Sequence, residues 1–173
     1  MTLEERVAAL ERRLDTLAEQ GGRDGDPGGR RPTDGDFWAL EGLKAQLAEH
    51  GAAQGGVLFT GSVRLPTHDR YDWQYALPTE ALLDVEERWT EAAESFAALG
   101  HPVRMRLLRE ILAGRRTVAE LTALDGIGTT GQAYHHLRQL TAAGWLHNPG
   151  RARYEVPPGR VVPLLVALAA ARP

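Results

Sequence analysis

The chain contains no cysteine among its 173 residues. Disulfides, thiolate metal sites and thiol-based redox sensing are therefore excluded together, which fits a reducing cytoplasm. Aromatic residues make up only 6% of the chain, so aliphatic side chains must fill most of any core. Lysine occurs once, at Lys44, whereas the other 19 basic residues are arginines. With abundant alanine and glycine, this usage is typical of a GC-rich genome.

Long apolar runs are also missing. The longest, residues 161–171, contains Pro163 and has about half of the roughly 20 residues that a membrane-spanning helix needs. The N-terminus is charged and patterned in heptads, unlike a signal peptide. We therefore expect a cytoplasmic protein that makes no contact with a membrane.

The net charge of −3 argues, by itself, against a nucleic-acid partner, but the charge is unevenly distributed. Residues 1–100 hold 10 basic and 19 acidic residues, whereas residues 101–173 hold 10 basic and 4 acidic ones, a net charge of +6. A local positive field attracts phosphate even when the whole protein is acidic. The C-terminal half is therefore the candidate for contact with nucleic acid.

Residues 117–154 have the pattern of a short helix, a turn, a longer helix and a hairpin. Thr117 with Glu120, and Thr129 with Gln132, have the spacing of capping boxes. Gly144 follows the second helix as a stop signal. The run Asn-Pro-Gly-Arg at 148–151 predicts a tight turn between residues 145–147 and 152–156. Helix, turn, helix and a basic hairpin outline a winged helix-turn-helix.

The second helix of this stretch has two faces at 100° per residue. Apolar Ala133, Leu137 and Leu140 share one side. The other side carries no carboxylate and offers groups that hydrogen-bond to base edges or phosphate, so it is either a DNA-reading face or an ordinary solvated one. The candidate DNA contacts on this helix and the following hairpin are Thr129, Thr130, Gln132, Tyr134, His135, Arg138, Arg151 and Arg153.

Four segments together resemble the ArsR/SmtB family of winged-helix transcription regulators. They are FAALGHPVRMRLLREIL from Phe96, TVAEL from Thr117, HHLRQL from His135 and AGWL from Ala143. The resemblance covers residues 92–171. It implies a homodimeric repressor that places the second helix in the major groove of double-stranded DNA and uses the hairpin as a wing. A twofold dimer in turn implies an inverted-repeat operator with half-sites about one helical turn, or a multiple, apart.

Metal and enzyme chemistry find little support. Metal sensors of the resembled family carry ligands in the first helix of the motif or in the last helix, and here those two segments hold only Glu120. Adjacent His135 and His136 point in different directions on a helix and cannot bind one ion together. No Walker-type glycine loop or Ser/His/Asp set stands out. We expect no metal, no cofactor and no enzymatic activity.

The N-terminal half divides into three predicted segments. In residues 1–20, Leu3, Val7, Leu10, Leu14 and Leu17 repeat as a heptad, which predicts either an auxiliary dimerisation coiled coil or a helix packed on its own chain. Residues 21–35 are rich in glycine and charge and predict a flexible linker. Residues 36–78 predict a short helix, starting with a cap at Asp36, and a β-hairpin. Tyr71, Trp73 and Tyr75 alternate onto one face of that hairpin, where they either cover a small core or form a surface for a small-molecule or protein effector.

Residues 79–173 are expected to form a mainly α domain with small β elements, used for DNA binding and dimerisation. One helix is predicted over residues 79–99, another from Pro102, and a last one from Pro163. The last helix is apolar all round and must be covered, most simply by a symmetric partner. The predicted function is therefore a homodimeric, sequence-specific transcriptional regulator. The alternative is a winged-helix module that docks another regulator through its N-terminal half, with weak or no DNA binding.

Overall fold

The computed structural model describes residues 37–84 and 86–172. The predicted coiled coil of residues 1–20, the linker of residues 21–35 and the cap at Asp36 lie outside these residues. Residues 39–173 belong to one compact unit that is mainly helical and contains two small antiparallel hairpins. Seven helices and four strands follow in the described chain.

The first described helix and hairpin lie where the sequence predicts them. Helix α1 covers Trp38–Glu49 and is followed by a turn with Gly51 at φ 68°. Strands β1 (Gly56–Arg64) and β2 (Arg70–Pro78) pair antiparallel, with Gly61 opposite Trp73 and Val63 opposite Tyr71. Side chains alternate between the faces of a strand, so Tyr71, Trp73 and Tyr75 share one face, as predicted.

The single helix predicted over residues 79–99 is wrong. The chain forms a short helix α2 (Thr79–Leu83) and a separate helix α3 (Glu86–Leu99). Two side chains of α3 reach back to the open carbonyls at the end of α2. Arg88 Nη1 donates to Ala81 O over 2.9 Å, and Trp89 Nε1 donates to Leu82 O over 3.0 Å. These bonds satisfy acceptors that a continuous helix would have used internally.

Three further helices follow. Helix α4 covers Pro102–Leu112, α5 covers Val118–Thr122 and α6 covers Thr130–Ala142. Both predicted capping boxes are present, and Gly144 follows α6 with φ 72°. The core joins these helices to the final strands and helix, and its fully buried side chains include Leu107, Leu108, Leu121, Leu137, Leu140, Leu146 and Leu164.

The second hairpin differs from its prediction in register. Strand β3 covers His147–Gly150 and β4 covers Arg153–Glu155, so the turn lies at residues 151–152 and not at 148–151. Asn148 Oδ1 accepts a hydrogen bond from Gly150 N over 2.8 Å, and the ladder shifts register between His147 and Gly150. The breaker residues therefore form an irregular strand, while Arg151 and Ala152 form the turn.

The last helix, α7, covers Pro158–Ala170 and starts five residues before the predicted Pro163, which lies inside it. Pro158 occupies the first helical position, where the missing N–H costs nothing. The first hairpin lies against one side of α7. A Cβ on Gly61 would lie 2.6 Å from Val162 Cγ1, and one on Gly159 would lie 3.3 Å from the Trp73 ring. The chain thus covers part of α7 itself, a role that the sequence prediction gave to a symmetric partner.

Candidate nucleic-acid interface

The start of helix α6 is fixed by a reciprocal cap. Thr129 Oγ1 accepts from Gln132 N over 3.3 Å, and Thr129 N donates to Gln132 Oε1 over 2.8 Å. Gly128 precedes the cap with φ 91°, and a Cβ there would meet Gln132 Oε1 at 2.4 Å. The cap therefore engages two of the predicted contact residues, Thr129 and Gln132, and leaves Thr130 exposed in the first turn.

The two faces of α6 are separated as the periodicity predicts. Ala133, Leu137 and Leu140 have no exposed surface. His135 and Arg138 are exposed on the opposite side, and Tyr134 retains 39% of its surface. No carboxylate of residues 37–84 and 86–172 forms an ion pair with Arg138. The outward face thus presents a phenol, an imidazole and a guanidinium.

The tip of the second hairpin presents Arg151 to solvent. Arg151 and Ala152 have φ of 55° and 53°, which matches the left-handed pair of a two-residue hairpin turn. Arg151 is exposed and, within the described part of the chain, has no acidic partner. Arg153 differs, because its Nε lies 3.5 Å from Glu155 Oε1. Of the two predicted hairpin contacts, Arg151 is the freer cation.

This hairpin is held by the segment in front of α5, a pairing that sequence reasoning missed. Tyr154 N donates to Arg116 O over 2.7 Å, and Val118 N donates to Ala152 O over 3.3 Å. The Arg116 guanidinium also lies 3.1 Å from both Glu155 and Asp69. No local pattern marks this contact, because it joins residues that are more than 30 positions apart. The second hairpin is thereby tied to the start of α5.

Most other arginines of the C-terminal half bind groups of the protein. Arg104 donates to Gln139 Oε1 on α6 and to Ala97 O, and Arg106 donates to Asp125 O. Arg109 and Arg115 both bind buried Glu110. Hydrogen bonds from Arg109 above all, and then from Arg115, hold the pKa of Glu110 below its usual value despite burial. These arginines tie α4 to its surroundings and are less available to phosphate than Arg138 and Arg151.

A histidine cluster lies between α4 and α6. The half-buried His136 ring stacks on His101 with centroids 4.7 Å apart, and His135 lies 5.8 Å away. His101 Nδ1 accepts from Val103 N and so caps α4. Burial above all, followed by the electrostatic effect of the neighbouring His101, Arg104 and His135 side chains, lowers the pKa of His136. A neutral ring packed between two helices is a structural group, and in the described residues no set of three metal-ligating side chains converges.

The predicted effector surface lies on the face of the first hairpin that meets α7. Tyr71 is half-buried and packs against the core, whereas Trp73 is 38% exposed and its ring lies 3.3 Å from the position that a Cβ on Gly159 would take. Tyr75 is 48% exposed, with its ring centroid 5.9 Å from that of Phe59. Of the three aromatics, Tyr71 covers the chain's own core, Trp73 lies beside α7 and stays partly open to solvent, and Tyr75 is the most open.

Comparisons with protein-family models, with curated proteins and with solved structures give no match. Within residues 37–84 and 86–172, no helix combines the length and the apolar character needed to cross a membrane.

Proposed function

We propose that this chain is a sequence-specific, DNA-binding transcriptional repressor of the winged helix-turn-helix type, acting as a homodimer on an inverted-repeat operator. The main observation behind the proposal is that α6 has one buried face and one exposed face. Its inner face is fully buried, whereas Tyr134, His135 and Arg138 stand on an outer face without carboxylates. A helix of this kind fits the major groove, where guanidinium, imidazole and hydroxyl groups distinguish base pairs.

The electrostatics of the C-terminal half support a polyanionic partner. This half has a net charge of +6, and Arg138 on α6 and Arg151 at the hairpin tip have no acidic partner among the described residues. Arg138 is assigned to base edges or to nearby phosphate, and Arg151 to phosphate or the minor groove. Thr130 can join the helix contacts, since its side chain is exposed and takes no part in the cap.

Exposed apolar side chains on α3 support dimerisation. Trp89 is 58% exposed and Phe96 is 64% exposed, and the spacing of seven residues places them on one side of the helix. Large aromatic groups left in water mark interaction surfaces. We assign this face, together with Leu168 near the end of α7, to a second copy of the chain, in agreement with the terminal-helix interface that the ArsR/SmtB resemblance implies.

Selection of binding sites from a pool of random DNA duplexes tests the proposal. The full-length protein should enrich an inverted repeat with half-sites about one helical turn, or a multiple, apart. A variant with Tyr134, His135 and Arg138 all changed to alanine should enrich no motif, because it loses the polar side chains of the outward face and keeps the buried side chains that hold the fold. Arg70→Ala, on the first hairpin, is the control and should enrich the wild-type motif. Failure of the wild-type protein to enrich any motif would refute sequence-specific binding.

The alternative function, a protein-interaction module, is favoured by one observation. Trp38 at the start of α1 is 77% exposed and Phe37 beside it is 42% exposed, in the acidic half of the chain. Under this alternative, the protein would remain a folded dimer and would show weak binding to DNA without preference for any sequence.

A further inference from the structure

A cleft of about 460 Å³ lies between α1, the outer end of the first hairpin and α2. Its volume falls in the range of about 300–1,000 Å³ that small-molecule sites occupy. Leu43 and Leu47 of α1 line one side, and Leu77 and Pro78 of β2 line the other. The cleft lies at the opposite end of the hairpin from Tyr71, outside the candidate DNA interface.

The walls of the cleft are fixed by the backbone. Ala52 N donates to Leu47 O over 2.9 Å and Thr79 N donates to Gly55 O over 2.9 Å, so the connection from α1 to β1 is tied at both ends. A Cβ on Gly56 would lie 2.9 Å from Leu47 Cδ2, which shows how closely α1 approaches the strand. These contacts hold α1 against the open end of the first hairpin.

Two polar side chains of the cleft, Glu80 and His50, offer hydrogen-bond acceptors. Glu80 Oε1 receives a hydrogen bond from Gln54 N over 3.2 Å, and no described residue donates to Oε2. His50 Nδ1 lies 2.8 Å from the carbonyl oxygen of Gln46 and must therefore carry the hydrogen of that bond. In the neutral ring, Nε2 then presents a lone pair. The cleft thus combines an apolar floor with a carboxylate oxygen and an imidazole nitrogen that can each accept a hydrogen bond.

We propose that this cleft binds a small apolar molecule carrying a protonated amine. The apolar body would lie between Leu47 and Leu77, and the ammonium group would donate to Glu80 Oε2. A carboxylate ligand is disfavoured, because it would face the Glu80 carboxylate and the lining residues include no lysine or arginine. The proposal is independent of DNA binding, because its test measures how small molecules bind to the protein in the absence of DNA.

Isothermal titration calorimetry of the full chain with three naphthalene probes provides the test. The probes 2-naphthylmethylamine, 2-naphthylmethanol and 2-naphthoate share the apolar body and differ in the head group. The amine should bind with 1:1 stoichiometry at least tenfold more tightly than the alcohol, and the acid should not bind. The difference follows from charge-assisted hydrogen bonds, of which a single one exceeds a tenfold effect.

Two variants and one control locate the site. Glu80→Gln keeps an acceptor for Gln54 N and removes the charge. It should weaken binding of the amine at least tenfold. Ala52→Leu fills the cleft and should abolish binding of both amine and alcohol. Glu49→Gln changes an exposed carboxylate of α1 that does not line the cleft, and it should leave the affinity unchanged. No binding of the amine, equal binding of all three probes, or an unchanged affinity in folded Glu80→Gln would each overturn the proposal.

Discussion

At the scale of single residues, the partners that an arginine already has within the protein determine whether it is available to bind phosphate. Glu110 binds Arg109 and Arg115, and Gln139 binds Arg104. A cation that is already paired must give up that partner before it can bind phosphate, whereas Arg138 and Arg151 need give up none in the described residues. The positive charge that is available to bind phosphate therefore lies on a few side chains of the C-terminal half, among them Arg138 and Arg151.

His136 should make the stability of the protein depend on pH. Its pKa in the folded state is held below the ordinary value of 6.5, mainly by burial. The folded state therefore binds fewer protons than the unfolded state, and the stabilisation present above pH 6.5 is lost as pH falls through and below that value. Chemical denaturation between pH 8 and pH 5 should show a falling free energy of unfolding, and His136→Gln should reduce that fall.

The control for this prediction is His68→Gln, in the exposed turn of the first hairpin. It should retain the pH dependence of the wild-type protein. Identical pH dependences in wild type and His136→Gln would show that the burial of His136 does not disfavour its protonation.

At the scale of elements, features that depend on nearby residues can be predicted from the sequence, whereas features that depend on tertiary contacts cannot. Both capping boxes formed because their bonds join residues three positions apart, as in Thr117 with Glu120. The turn of the second hairpin was misplaced because its register depends on Arg116, which lies far away in sequence. The break between α2 and α3 also escaped prediction, since the bonds from Arg88 and Trp89 that support it form only in the folded chain.

The two faces of α6, like the capping boxes, are predictable because they depend only on residues that are close in sequence. Helical periodicity alone separates buried Leu137 from exposed Arg138. The engagement of Arg104 and Arg106 by Gln139 and Asp125 could not be predicted, because it depends on how α4 packs on α6 and its preceding turn. The amine-binding cleft gives no sequence signal either, since its lining comes from three separate elements.

The contact between the first hairpin and α7 should be sensitive to a single methyl group. Because a Cβ on Gly61 would lie 2.6 Å from Val162 Cγ1, Gly61→Ala should lower the free energy of unfolding by about 1–3 kcal/mol. Val162→Ala removes the clashing methyl groups, so the double variant should be destabilised by less than the sum of the two single variants. Denaturant unfolding of all four proteins measures this coupling.

Gly42→Ala is the matched control, since nothing lies within 4 Å of its Cβ position in α1. It should raise the free energy of unfolding by about 0.5–1 kcal/mol, because alanine favours the helix. Strict additivity of Gly61→Ala and Val162→Ala would contradict the packing described for the hairpin.

At the scale of the whole molecule, the first hairpin changes which apolar surface remains for a partner. It covers the Val162 side of α7, whereas two largely exposed aromatics, Trp89 and Phe96, lie on α3. A dimer is therefore expected to depend strongly on α3. The heptad segment of residues 1–20 has only two and a half repeats and is too short to hold a dimer alone.

Deleting residues 1–35 should leave a dimer that still binds DNA. Analytical ultracentrifugation should give the same dimeric state for the full and shortened chains, whereas Phe96→Glu should shift the full chain toward monomer. Phe96 is 64% exposed, so this charge enters the proposed interface and not the core. Sedimentation of the shortened chain as a monomer would show that residues 1–35 carry the interface.

The central claim is that the outward face of α6 reads DNA while the hairpin tip contacts the backbone. The most direct measurement is affinity for the selected duplex and for a scrambled one, titrated with salt, for wild type, Arg138→Ala and Arg151→Ala. Arg138→Ala should lose about 1–3 kcal/mol on the selected site. Arg151→Ala should weaken both duplexes alike and reduce the salt slope by about one unit.

Arg172→Ala, which removes the same charge near the end of the chain, is the control and should leave both quantities unchanged. The account predicts a steep fall in wild-type affinity with salt and a preference for the selected duplex that depends on Arg138. An affinity that is insensitive to salt, or an unchanged preference in a correctly folded Arg138→Ala dimer, would contradict it.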